Sequence, residues 1–281
     1  MGRYAIGSAA HAAVPLTSPS GALGRRFSAA VRAAALPPGA ADAAVVTVDD
    51  LAALPAAVRR YLGFMGVVGR SRDWSFRARF IGRFRLRPQL GWMPAQAWQY
   101  NYRPQVARVF VMRVRLAGLV PMTGHDTYLQ GRGRMVGKLL DRFTVVDGHG
   151  DEFDVGELTT FLNDAILLAP SMLLGPQTTW TAIDADSFSV TLTDAGRSVA
   201  GTVFIDDRGA PYDFATTDRY ADLPGGLVRA EWHTPVQSWE TVNGRPLPGP
   251  VEAVWHLATG PLPYIRGRIA PDSVAFNIAP G

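Results

Sequence analysis

The chain has 281 residues, 47% of them hydrophobic, with 28 basic and 24 acidic side chains and no cysteine. That length and apolar content suffice for a sizeable core, and the missing thiols exclude disulfides, thiolate metal sites and a cysteine nucleophile. The net charge is only +4 and is carried by arginine, Lys138 being the one lysine. Without a lysine-rich run the composition argues against a nucleic-acid partner.

Residues 1–48 are rich in Ala, Gly, Pro and Ser and weakly periodic. They read as a flexible extension, with at most one short helix, on a single domain spanning 49–281. Arg25-Arg26-Phe27 and the run to Leu36 resemble a poor export signal. Arg32 interrupts that run and Pro37-Pro38 ends it, so the expected location is cytoplasmic. No run reaches the ~18 apolar residues of a membrane-spanning helix. Asp49 or Asp50 caps a helix running to about Gly63, with Leu51, Leu54, Val58, Tyr61 and Leu62 at helical spacing.

From Trp74 the period changes to two. Trp74, Phe76, Ala78, Phe80, Gly82, Phe84 and Leu86 fall on one side, and Arg77, Arg79, Arg83, Arg85 and Arg87 on the other. A strand of that length spans roughly 43 Å and must coil, with Gly82 a natural place to bend. After a turn at 88–91, Trp98, Tyr100 and Tyr102 alternate in a second strand, and Phe110, Met112 and Val114 in a third. A hairpin around Gly131-Arg132-Gly133 and a short strand from Phe143 follow.

Asp154 and Glu157 read as a capping box opening a helix. Its apolar stripe is Leu158, Phe161, Leu162, Ala165 and Leu168, and Pro170 ends it. From Thr179 strands resume to Ile278. The expected fold is mainly β within the α+β class: a strongly curved antiparallel sheet, or incomplete barrel, of about eleven to thirteen strands, with a helical plug or lid at 155–174.

Chemical motifs are few. There is no phosphate loop and no Gly-x-Ser-x-Gly elbow. The histidines His11, His125, His149, His233 and His256 show no metal-ligand spacing, so neither a metal nor a cofactor is expected. His233 and His256 alternate with Trp232 and Trp255 and should face outward. Of His125 and Asp126, adjacent in a strand, at most one faces inward. Glu157, Thr160 and Asp164 share one helix face, but the carboxylates lie about 10.5 Å apart along the axis, too far to share a proton. Trp74, Phe76, Phe80, Phe84, Trp98, Tyr100, Phe110, Met112, Trp232 and Trp255 are the candidates for the inner face, joined by Phe161 from the helix. An aromatic concavity of this kind suits an apolar ligand. The arginine face reads as a solvated outer surface that deters edge pairing, with a partner-binding role as the alternative.

Several motifs, taken together, carry a resemblance: Leu54-Pro55 with Arg60-Tyr61-Leu62, Phe84 to Pro88, Trp92-x-Pro94, and Tyr128 with Gly131 to Met135. Gly156-Glu157-Leu158, Pro170 to Leu174, Trp180-x-x-Ile183-Asp184, and Tyr264-x-Arg266-Gly267-Arg268-Ile269 continue it. In this order they resemble a bacterial domain-of-unknown-function family over residues 50–276. The resemblance implies a fold similar to periplasmic lipoprotein-localisation carriers, an incomplete barrel wrapping a helix over an apolar cavity. Asp164 stands where that family favours Glu, and Leu167-Leu168 replaces a more aromatic stretch. The functional expectation is binding of a lipid-like or polyketide-like molecule. The alternative is a cofactor-independent cyclase or isomerase using Glu157, Asp164 and Tyr128. Oligomeric state is not legible.

Overall fold

The computed structural model describes residues 16–39, 44–87, 89, 91–116 and 118–281. His11, and Pro88 and Leu90 of the expected turn, lie outside them.

Helix α1 (Gly21–Ala33) comes first, followed by a 3-10 turn at Asp49–Leu51 and α2 (Ala56–Phe64). The expected continuous helix from Asp49 is therefore two pieces. Pro55 disfavours helical backbone at the residue before it, and α2 starts immediately after it. The next six strands are β1 (Ser75–Phe84), β2 (Met93–Tyr102), β3 (Ala107–Leu116), β4 (Val120–Leu129), β5 (Arg132–Leu139) and β6 (Phe143–His149). Helix α3 (Asp151–Leu168) and a 3-10 turn at Pro170–Leu173 follow. The second run of strands opens with β7 (Thr178–Ala182), β8 (Ser187–Asp194), β9 (Arg197–Ile205) and β10 (Pro211–Thr216). Two short hairpins flank a three-residue strand: β11 (Tyr220–Leu223) with β12 (Gly226–Arg229), then β13 (Glu231–His233), then β14 (Trp239–Val242) with β15 (Arg245–Pro248). The chain ends with β16 (Val251–Leu257), β17 (Gly260–Ile269) and β18 (Ala275–Phe276).

The main sheet is antiparallel, curved and not closed, in the order β6-β5-β4-β3-β2-β1-β17-β16-β13-β10-β9-β8-β7, with β18 added to β1. Its two edges, β6 and β7, are consecutive strands joined by α3. The helix therefore starts at one lip of the open barrel and delivers the chain to the other, touching β5 and β9 on the way. Two expected strands are shorter than their patterns. The arginine-faced strand ends at Phe84, and the run from Val228 to Glu240 is broken, with β13 ending shortly before Pro235. Proline cannot donate to the ladder. At Gly82, paired with Gly267, a Cβ on either residue would run into the opposite backbone, and the Phe80 ring lies over the pair.

One apolar cluster joins α2, α3 and β8–β10. Leu158, Phe161, Leu162, Ala165 and Ile166 of α3 are fully buried in it with Phe188, Val190 and Phe214. Tyr61 of α2, also fully buried, donates its hydroxyl to the Ile166 carbonyl at 2.7 Å. A second cluster lies on the outer side of the sheet. There α1 covers β2 and β3, with Phe27 stacked on Trp98 at 5.8 Å. Among the described residues no helix is long and apolar enough to cross a membrane.

The capping-box expectation fails at the start of α3. The helix begins at Asp151, one turn early, and Gly150 (φ 111°) is the residue that turns into it. Asp154 lies inside the helix. Its buried carboxylate accepts from Gly133 N at 2.7 Å, Arg132 at 3.1 Å and Arg197 at 2.9 Å. The chain approaches so closely here that a Cβ on Gly133 would overlap the Phe153 carbonyl. Because the clash is with backbone, Gly133→Ala should cost about 1–3 kcal/mol in urea unfolding. A change within about 0.5 kcal/mol, the usual range for a neutral surface substitution, would mean that α3 does not rest on β5 in this way.

Candidate functional site

The two halves of the barrel are filled differently. The β7–β10 half packs directly on α2 and α3. In the other half a cavity of about 610 Å³ lies between α3 and the inner faces of β1–β5, β13, β16 and β17. The alternation of each strand decides what reaches it. Phe80 and Phe84 of β1, Phe110 and Met112 of β3, and Trp232 and Trp255 from paired positions of β13 and β16 line its apolar wall. On β4 and β5 the inward positions include Gly124 and Gly137, a cross-strand pair whose missing side chains leave room.

The α3 side of the cavity is polar. Arg108, two residues before Phe110 and on the same face of β3, donates from Nη1 to Glu157 Oε2 at 2.9 Å and from Nε to Asp164 Oδ2 at 2.8 Å. The side chains of Arg108 and Glu157 are only 6% and 4% exposed. Burial opposes the charge on Arg108, but the carboxylates of Asp164 and Glu157 outweigh it, and its pKa is raised. Burial raises the Glu157 pKa against the pull of Arg108 and Arg219. Asp126 faces the same cavity from β4. Burial and the nearby charge of Glu157 push it up to about 7, with Arg108 and Arg219 opposing. Arg219 lies over the Trp232 ring at 4.2 Å and the Trp255 ring at 5.4 Å, and among the described residues its Nε donates to nothing. The buried Nε2 of Gln99, also at the cavity, has no acceptor among them either. Fixed hydrogen-bond donors without acceptors, beside an apolar wall, suit a ligand with an acceptor head and an apolar body.

The structure separates the expected site residues into two groups. Phe80, Phe84, Phe110, Met112, Trp232, Trp255, Glu157 and Asp164 line the cavity. The rest do not. Trp98 and Tyr100 project outward, because the inward positions of β2 belong to Ala95, Ala97 and Gln99, and α1 covers the aromatic side. Trp74 precedes β1 and packs edge-on against Tyr102 at 5.9 Å in that outer cluster. Phe76 and Phe161 are fully buried core residues. Tyr128 is fully buried too. Its hydroxyl donates to Asp194 at 2.9 Å, and burial raises its pKa, so it reaches no cavity ligand as an acid or base. Of the polar residues at the cavity, sequence reasoning missed Arg108, Arg219 and Gln99 and left open whether His125 or Asp126 faces inward; Asp126 is the one that does. The signal for two of them was parity: Arg108 and Asp126 are charged residues on the apolar phase of their strands. The arginine face of β1 is largely engaged within the chain. Arg77 is half-buried against Trp98, Arg79 donates to Gln96, and Arg85 donates to the Pro263 carbonyl.

Comparison with known sequences locates this arrangement. The profile of one family matches residues 44–267. The chain belongs to the family of unknown function DUF6544. The match runs from before α2 through most of β17 and so includes the polar side of the cavity and all of its described lining but Ile269. No curated protein sequence matches this DUF6544 chain. Among solved structures, a LolA superfamily protein from Nitrosomonas europaea is similar, with 10% identity and a TM-score of 0.40 over 82% of this chain and 93% of that one. A DUF1329 family protein from Desulfovibrio piger is similar at 9% identity and a TM-score of 0.41, over 79% of this chain and 90% of that one.

Arg108→Met strands two buried carboxylates and should cost about 3–5 kcal/mol in urea unfolding at pH 7. Adding Glu157→Gln and Asp164→Asn should recover part of it, and no recovery would remove the ion pairs as the cause. Asp126 releases its proton at about 7 when folded and near 4 when unfolded. Stability should therefore fall as pH rises across that window, because the unfolded chain ionises first. Urea midpoints between pH 4.5 and 8 should lose part of this slope in Asp126→Asn, with Glu157 and His233, whose pKa values are also raised, contributing to the remainder. An unchanged slope would contradict the assignment.

Proposed function

We propose that the protein binds an amphipathic small molecule, with its apolar body against the aromatic wall and a hydrogen-bond-accepting head toward Arg219 and Gln99. The observation that carries this reading is the coexistence in one cavity of about 610 Å³ of six large apolar side chains and donors that have no acceptor among the described residues. Ligand cavities of roughly 300–1,000 Å³ combine apolar walls with a few fixed polar groups in this way. Lipid-like and polyketide-like carboxylates meet the description.

A second reading rests on Asp126. A cavity carboxyl with a pKa of about 7 is matched to proton transfer near neutral pH. A cofactor-independent isomerase or cyclase acting on the same class of ligand would use Asp126 with Glu157. Solvent deuterium entering a bound ketone faster than in buffer, and not in Asp126→Asn, supports this reading. Equal rates in both remove it.

The binding reading is tested by titrating the full chain with a long-chain fatty acid and with an uncharged alcohol of equal length. Saturable binding of the acid should weaken about tenfold or more in Arg219→Gln, roughly the value of a hydrogen bond to a charged group, while the alcohol is affected less. Gly124→Leu should abolish binding of both without unfolding the protein, since a Cβ there meets only Met112 atoms, at ordinary contact distance. Binding that survives Gly124→Leu lies elsewhere and defeats the proposal.

A further inference from the structure

The reverse side of the strands that carry Trp232 and Trp255 holds a second constellation. Glu231 and His233 are two apart on β13 and share its outer face. His256 on β16 stands directly across from Glu231 in the ladder. The two imidazoles lie together at 4.3 Å between ring centroids. One ligating atom from each of Glu231, His233 and His256 lies within 4.8 Å of the other two. His233 Nε2 and Glu231 Oε1 are already 3.2 Å apart. Ligands at about 2.0–2.1 Å around a tetrahedral zinc ion are separated by roughly 3.3 Å, so this pair needs no rearrangement to share an ion.

The other ring nitrogen of His233 is held from behind. Nδ1 lies 2.6 Å from Asp213 Oδ2, on β10. A carboxylate in that position fixes the tautomer with the proton on Nδ1 and turns the Nε2 lone pair outward, toward Glu231 and His256. The carboxylate–histidine–metal relay has this form. Without an ion the same contacts favour the imidazolium form of His233, and hydrogen bonding to Asp213 raises its pKa. The two states differ in what His256 does. In the imidazolium it adds nothing to the ion pairing of His233, whereas around a metal it is a ligand.

We propose that Glu231, His233 and His256 form a divalent-metal site, with Asp213 orienting His233. Two imidazoles and one carboxylate, with no thiolate, suit zinc or a neighbouring transition ion better than calcium or magnesium. Three protein ligands leave the fourth position to water or an anion. The site would brace a weak seam. β13 has three residues and is registered to β10 at two positions, yet it carries the link between the two halves of the sheet. An ion bound to β13 and β16, steadied from β10, ties these three strands together behind the tryptophan wall.

The test is calorimetric titration of the metal-stripped full chain with zinc chloride, alongside Co²⁺ absorption spectroscopy. One equivalent should bind. His256→Ala should weaken it at least tenfold, as should Glu231→Gln, and Asp213→Asn 10- to 100-fold as expected for an outer partner. His149→Ala, at an exposed histidine on β6, should leave it unchanged. Zinc should raise the unfolding midpoint of the parent and not that of His256→Ala. Since His256 is exposed, that variant keeps the fold and the comparison stands. Absence of saturable zinc binding, or binding that both His256→Ala and Glu231→Gln leave intact, overturns the proposal and leaves the paired imidazolium. The outcome is independent of the cavity ligand.

Discussion

The structure depends on how α3 is held inside a sheet that never closes. Apolar packing alone would draw the helix onto the nearest inner face and fill the barrel. Three polar anchors oppose this. Near the N-terminus the buried Asp154 is bound to Gly133 N, Arg132 and Arg197. In the middle Arg108 joins Glu157 and Asp164. Just beyond the C-terminus Ser171 donates to Asp73, which accepts two bonds of 3.0 Å from Arg245. Buried ion pairs add little net stability after desolvation, but breaking one is expensive. Their effect is therefore positional. The helix can slide or tilt only by leaving a charge unpaired, so while it rests directly on β5 at Gly133, its distance from β1–β3 is set by side-chain length rather than by closest packing.

The cavity follows from that constraint together with residue size. On the β8–β10 side Phe188, Val190, Leu192 and Phe214 fill the space up to α3 and are fully buried. Across from them the inward positions of β2, β4 and β5 include Ala95, Ala97, Gly124 and Gly137, which cannot reach the helix. The aromatic residues of β1 and β3 line the remaining hollow. The same helix therefore serves as core on one side and as a polar ceiling on the other. Its composition reflects this: the apolar stripe read from the sequence is Leu158 to Leu168, and Glu157, Thr160 and Asp164 occupy the face between.

Much of the architecture was legible because strands with one buried face alternate strictly. The antiparallel sheet follows from strand period and short turns, the body of the 151–168 helix from its stripe of Leu158 to Leu168 though not its first turn, and the inward faces of β1 and β3 from alternation. The failures have a common origin in what covers each face. Trp98, Tyr100 and Tyr102 carry the stronger apolar signal on β2, so alternation assigns them inward. They point outward because α1, in a stretch of low periodicity, lies against them. A strand buried on both faces has no marked inside. Asp154 and Glu157 match a capping box by spacing, and nothing local reveals that β5 and β3 supply their partners. Arg108 and Asp126 are charges on the apolar phases of their strands. Such a conflict between local pattern and neighbours is where functional groups are to be sought.

Strands β13 and β16 show how a thin layer can serve two sides at once. Trp232 pairs with Trp255 toward the cavity, and the next positions place His233, His256 and Glu231 on the outer surface. Arg219 stacks on both tryptophans from within, while Asp213 grips His233 from without. In the central β1–β5 sheet, long ladders fix the wall rigidly. Here the backbone ladder is short, so side chains on both faces supply much of the cohesion. The three-residue strand that turns Trp232 toward the cavity therefore also carries Glu231 and His233 on its outer face.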